Sequence, residues 1–315
     1  MHPAPSIIVF TTASGAGYGL LFLLALGAPG GLVPADRWFG LTGLVLALGL
    51  ISAGLTASTL HLSHPERAWR ALSQWRSSWL SREGVMASAT YVPAGLLAIG
   101  WIGFEATGGV WGVLAILAAL GAVGTVFCTG WIYASLKPIR QWRHPLVVPI
   151  YMSFAVMTGA LWLTALLTLF AWPGTAAPLL ALVAILAAWG LKVVYWIRVG
   201  NGETTSTVAS ATGLDAPGGV RLLDRPHTEE NYLLHEMGYQ VGRKHADRLR
   251  RLAVGLGAIV PFILLLAVIP GIGGGAAVAA VAAALSGSLG VLIERWLFFA
   301  EATHTVTLYY GAQKA

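Results

Sequence analysis

Between His61 and Glu83 the chain reads HLSHPERAWRALSQWRSSWLSRE, a basic and aromatic stretch set between two long apolar runs. Ionisable groups at the mouth of a hydrophobic span are costly to desolvate, so charge, protons or a polar headgroup would be handled here. A neutral imidazole at His61 could hydrogen-bond a carbonyl acceptor and pass protons, with His64, Glu66 and Arg67 following on the same surface. Glu83, if it returns to the same depth on the next span, adds a carboxylate, and Arg67 adds a fixed positive charge. Together these groups suit a quinone, whose reduction takes up two electrons and two protons and places negative charge on its ring oxygens. The plainer alternatives are an interfacial histidine satisfied by backbone carbonyls and a carboxylate capping a helix N-terminus.

The elements that must position these groups are membrane-spanning helices. Of 315 residues, 57% are hydrophobic and only 10% charged, a composition far from that of a soluble globular domain. Apolar runs near 6–27, 38–60, 84–104, 110–134, 147–171, 177–198, 252–270 and 276–300 are each long enough to cross a bilayer. The first has no basic n-region before Ile7, with no lysine or arginine there, and is followed by seven more, so it reads as a retained helix rather than a signal peptide. The expected fold class is all-α: one polytopic integral membrane domain over residues 1–315 with eight transmembrane helices.

Lysine and arginine concentrate in alternate connections: Arg67, Arg70, Arg76 and Arg82 after helix two, Lys137, Arg140 and Arg143 after helix four, and Arg198 through Arg251 after helix six. The positive-inside rule makes these loops cytoplasmic, and with them both termini. Trp69, Trp75, Trp79, Trp131, Tyr133 and Trp142 fall where an aromatic belt would lie. In the long connection 199–251, the stretch from Gly200 to Gly219 reads as flexible or extended. An amphipathic helix is expected over about 228–248, with Thr228 as N-cap, Leu234, Met237 and Val241 on one face and the basic RKHADRLRR at its end. It would lie on anionic lipid or dock a cytoplasmic subunit. Gly15 and Gly19 form a small-xxx-small pair that permits close helix contact.

The single cysteine, Cys128, excludes an intrachain disulfide and an iron–sulfur cluster ligated by this chain alone. Nor do the eight histidines offer a convincing facing pair inside apolar spans for a b-type haem. Glu294 and Arg295 interrupt the last span, with Glu301 and His304 following, and are secondary candidates for mutual pairing or a proton path. A secondary transporter would predict paired helix interruptions and midplane polar groups in both halves; Pro93 and Pro261 are present, with few midplane charges. A purely structural anchor is a further alternative.

The segment TLHLSHPERAWRAL followed by WLSREG resembles the hallmark region of the membrane-anchor subunit of dimethyl sulfoxide reductase-type complexes, and WIYASLKPIRQWRHP resembles that family's loop after helix four. The resemblance implies eight helices, no haem or iron–sulfur cluster in this chain, and a bacterial inner-membrane location. It also implies cytoplasmic partners, a molybdopterin catalytic subunit and an iron–sulfur subunit, exchanging electrons with ubiquinone or menaquinone. By motif, His61, Arg67 and Glu83 match positions linked to quinone binding, and Tyr133 matches a recurrent position in the fourth helix. His64 is not part of the motif and would assist or be incidental. HPAPSIIVFTTASGAGYGL and HTEENYLLHEMGYQVGRKHA are similar to the anchors of cytoplasmic sulfite dehydrogenases, implying electron flow from sulfite oxidation to quinone. A quinol-oxidising reductase runs the same chemistry backwards. In neither direction does this chain meet the partner's substrate, and membrane lipid rather than nucleic acid is its expected surroundings.

Overall fold

The computed structural model describes residues 2–60, 62–201, 206–214, 220, 223, 245–269, 274–310 and 312. Among them eight helices are long and apolar enough to cross a membrane: α1 (Pro5–Gly27), α2 (Arg37–Thr59), α3 (Trp79–Gly103), α4 (Val110–Ala134), α5 (Val147–Leu169), α6 (Ala176–Gly200), α7 (Ala246–Val268) and α8 (Gly274–Ala300). With no water to serve exposed backbone in hydrocarbon, helices that satisfy their own N–H and C=O groups are the solution these apolar runs can adopt. Asp36 caps α2 by accepting from the Phe39 amide at 2.8 Å, and Ser78 caps α3 by accepting from Ser81.

All eight expected spans are present, but α3 begins at Trp79 rather than 84 and α7 at Ala246 rather than 252. In each case a polar first turn precedes the apolar stretch, and hydrophobicity alone cannot register it. Glu83 is therefore in the second turn of α3, not at its opening. The basic Asp247–Arg251 segment heads α7. The rest of the amphipathic helix expected over 228–248, up to residue 244, lies outside the described residues.

Helices α1 and α5 form the centre, packing on each other and both on α4 and α8. Small residues permit this. A Cβ on Gly19 would collide with the backbone of Ala155, and one on Gly159 with Gly19. Gly15, expected to share that role, has nothing near its Cβ position and lines a cavity instead. In α7, Pro261 has no N–H to give the Gly257 carbonyl one turn back. The helix passes through a π turn at Gly255–Ile259, and the freed carbonyls are taken up by neighbours: Trp189 Nε1 donates to Gly257 O at 2.8 Å and Ser286 Oγ to Leu256 O at 2.7 Å. The proline thus marks a repaired turn in a continuous span, not a broken transporter helix.

The N-terminus, the loops 60–78 and 135–146, and the segment after α8 share one face of the bundle. There Pro65–Gln74 forms an exposed 3-10 helix, and Trp69 (67% exposed) and Trp75 stand clear of the bundle. Trp79 stacks on Trp131 at 5.3 Å. Tyr133 and Trp142, expected in the same belt, face inward and are buried, because their rings pack against Phe298 and Phe299 of α8. The 135–146 loop is clamped to the chain after α8: the Thr305 amide donates to Pro138 O at 3.1 Å, Gln141 exchanges hydrogen bonds with Thr303, and Tyr195 OH donates to Gln141 O at 2.9 Å. Within the stretch expected to be irregular, Val208–Thr212 is a one-turn helix closed by a Thr207–Ser210 capping box and by Gly213 at φ +68°.

Candidate functional site

Glu83 is buried on the α3 face that packs on α4. Gly121 receives Thr90 and Gly124 receives Met86, and this close approach of α3 to α4 brings the Glu83 carboxylate onto Thr129 Oγ1. The Thr129 hydroxyl also lies 3.0 Å from the Thr125 carbonyl. One hydroxyl proton cannot serve both acceptors. The Thr125 carbonyl already accepts the Thr129 amide within α4, so the hydroxyl is available to donate to a carboxylate or accept from a carboxyl, and the contact serves Glu83 in either protonation state. Next to it Arg82 turns outward, donating to the carbonyls of Trp75 (2.9 Å) and Arg76 (2.8 Å) over the Trp79 ring. It ties the basic loop to α3, and among the described residues Glu83 makes no ion pair.

A second polar centre lies deeper. Lys192 of α6 and Glu294 and Arg295 of α8 are almost fully enclosed, about 8–12 Å inside their helix ends at the helical rise. Lys192 Nζ is 2.5 Å from Glu294 Oε1, and Arg295 is 3.4 Å from Glu294 Oε2. Lys192 sits 4.3 Å from the Tyr195 ring centroid, and Arg295 lies 3.6 Å from that of Tyr151. Between this centre and Glu83 is a cavity of about 10 Å³ lined by Thr12, Ser14, Thr129, Tyr151, Thr158 and Arg295. Thr12 Oγ1, Tyr151 OH and Arg295 Nε are buried and make no hydrogen bond to protein groups among the described residues. A space of this size, with these polar groups around it, has room for a single water and nothing larger.

Just outside the membrane-spanning segment, Glu301 pairs with Arg250 at 2.8 Å. Burial pushes its carboxyl above the ordinary range, with Arg250 pulling the other way. His144 and His304, both on the clamped loop pair, are held below their ordinary value: His144 by burial and by Arg198 and Arg140, His304 by burial.

Of the residues singled out in the sequence, Glu83 and Tyr133 come into one electrostatic neighbourhood. His64 and Arg67 are exposed and pair with Glu66, at 3.0 and 3.7 Å, rather than with Glu83. His61 lies outside the described residues. Helices α2 and α3 touch sparsely, through contacts such as Ser52–Tyr91 at 2.7 Å, while Glu83 finds its partner on α4. Glu294 and Arg295 do pair with one another, as anticipated, but the stronger partner is Lys192, which sequence reasoning passed over. Its signal was a lone lysine in WGLKVVYW with aromatics three and four residues on. The Thr and Ser positions 11, 12, 14, 125 and 129 likewise recur at helical spacing and so mark one polar wall.

Among the described residues, an all-α bundle of eight spans, with a buried carboxyl near one face and an intramembrane charge cluster behind it, defines a multi-pass membrane protein. The chain belongs to the DMSO reductase anchor subunit (DmsC) family, which it matches over residues 1–311. It is 34% identical over 334 aligned residues to a sulfite dehydrogenase subunit of Allochromatium vinosum, with 98% of this chain and 99% of that protein covered. It is a membrane anchor subunit, and its family membership sets the transporter reading aside.

Proposed function

We propose that this chain anchors a molybdenum/iron–sulfur oxidoreductase at the cytoplasmic face of a bacterial inner membrane and carries the complex's quinone-reactive site. The direction we favour runs from sulfite oxidation in a molybdopterin subunit, through an iron–sulfur subunit, to the quinone pool. The family match and the name of the sulfite dehydrogenase relative support the anchor role and this substrate. The family description also supports the reverse direction, quinol oxidation for a terminal reductase.

The observation that carries the quinone reading is Glu83, a buried carboxyl hydrogen-bonded to Thr129 at the mouth of the basic face. One turn deeper, a groove of about 360 Å³ between α3 and α4 opens to the bilayer, lined by Met86, Thr90, Pro93, Leu117 and Gly121. Its apolar walls fit an isoprenoid tail. The enclosed cavity at Thr129 fits a water and not a ring, so a headgroup would meet Glu83 from the α3–α4 side. When bound, a quinone accepts two electrons and two protons at its ring oxygens. Glu83 then holds and delivers a proton at Oε1, Thr129 orients that carboxyl, and the hydrocarbon around α3 excludes bulk water. His61 is the second proton-handling group of this reading. Arg67 and His64 set a positive surface at the entrance, and Tyr133 backs the site with its packed ring.

The test is made on the assembled complex. Glu83→Gln and His61→Ala each lower quinone-linked turnover by at least the hundredfold typical of losing a general acid or base, while turnover with a soluble dye is unchanged. Wild-type quinone rates in both variants would remove these residues from the site.

A further inference from the structure

Lysine, glutamate and arginine enclosed in a membrane bundle are expensive, and one ion pair would suffice to hold α6 to α8. Here there are two cations, Lys192 and Arg295, against one carboxylate, Glu294. Counting Glu83 as ionised, the buried charge sums to zero. It stays at zero if Glu83 takes up a proton and Lys192 gives one up. A proton shared between these two ends therefore leaves no uncompensated charge in the bundle.

We propose that a proton-conducting chain enters at Glu301 and runs through Lys192, Glu294 and Tyr151 to Thr129 and Glu83. The inference deepens the quinone reading above and rests on it. The links are an electrostatic interaction at the entry, ion pairs in the middle, and a shared cavity wall and a hydrogen bond at the Glu83 end. Glu301 is 17% exposed, reaches the surface beside Arg250, and interacts electrostatically with Lys192. Lys192 Nζ is 2.5 Å from Glu294 Oε1, whose other oxygen is 3.4 Å from Arg295. Arg295, Tyr151 and Thr129 line the water-sized cavity, and Thr129 bonds Glu83.

The orphaned polar atoms of Thr12, Tyr151 and Arg295 point to a bridging water in that cavity. Arg295 stays protonated and acts as a fixed charge that holds the water and Glu294 in place. The raised carboxyl of Glu301 supports its role as the entry group. Quinone plus two electrons plus two protons gives quinol. The electrons come from a reduced iron–sulfur protein, and the chain supplies protons from the face that carries the basic loops, so no net charge crosses the bilayer.

The experiment compares the purified complex with its Glu301→Gln and Tyr151→Phe variants. It reads turnover with a short-chain ubiquinone analogue, turnover with a dye to certify assembly, and the solvent deuterium isotope effect. Tyr151→Phe removes one oxygen and leaves the ring under Arg295, so it preserves the packing. The expected result is a tenfold or larger loss of quinone turnover in both, an increased isotope effect, and recovery of Glu301→Gln by a small weak acid such as formate. Wild-type turnover and an unchanged isotope effect in both would overturn the path. If Glu83→Gln is impaired while these two are not, the quinone site stands and the path fails. A wild-type complex that reduces no quinone removes both.

Discussion

At Thr129 one hydroxyl decides how Glu83 is used. Removing it leaves a buried carboxyl without its partner, a loss of about 1–3 kcal/mol for a group that cannot reach water. Thr129→Val should therefore lower the thermal stability of the complex and reduce quinone-linked turnover by about tenfold, equivalent to about 1.4 kcal/mol. Thr129→Ser, which retains the oxygen, should restore both, and full activity in the Val variant would show that Glu83 does not depend on it. Glu83 was legible in the sequence because a carboxylate beside a hydrophobic run stands out. Thr129 was not, since a threonine in an apolar helix satisfies itself by bonding back to its own turn, as Thr125 and Thr158 do. Lys192 escaped for a related reason. A single lysine near a helix end ordinarily snorkels to the interface, and only the packing of α8 turns it inward onto Glu294.

Among the elements, the spans themselves were readable from runs of apolar residues, whereas their polar first turns and their neighbours were not. Hydropathy carries no information on which helix Glu83 faces, and the answer depended on Gly121 and Gly124 admitting α3 side chains. The clamp between residues 135–146 and the chain after α8 has a pH dependence of its own. His144 and His304 are both depressed from an ordinary value of 6.5 by burial, His144 also by two arginines. A depressed folded value means that the unfolded segment binds the proton first. The stability these histidines contribute is present above about pH 6.5 and is lost as pH falls through their lower folded values. Amides bonded in the clamp, such as Thr305 and Thr303, should lose hydrogen-exchange protection below that pH. His144→Gln combined with His304→Asn should flatten the profile, and a flat wild-type profile would show that neither histidine couples to the clamp.

For the whole molecule, charge is distributed across the bilayer as well as along the chain. The connections at 28–36, 104–109, 170–175 and 269–273 contain no lysine or arginine. Arg37, at the head of α2 on that face, is paired with Glu105 at 3.2 Å. The opposite face carries the arginines of the 60–78 loop, the 135–146 loop and the head of α7, and Glu83, Glu301 and the clamp open toward it. On the proposed reading the proton entry, the quinone carboxyl and the basic surface share one side, so the anchor would dock its soluble partners and draw protons from a single compartment. The positive-inside rule predicts that this side is cytoplasmic. In a Cys128→Ser background, a cysteine at Ser73 should react with an impermeant maleimide only in inverted membrane vesicles, and one at Gly108 only in right-side-out cells. Both positions are exposed, and a Cβ at Gly108 meets nothing. The reverse labelling pattern would place the basic loops, the proton entry and the docking face on the outer side of the membrane, and a cytoplasmic sulfite-oxidising partner could then not reach them.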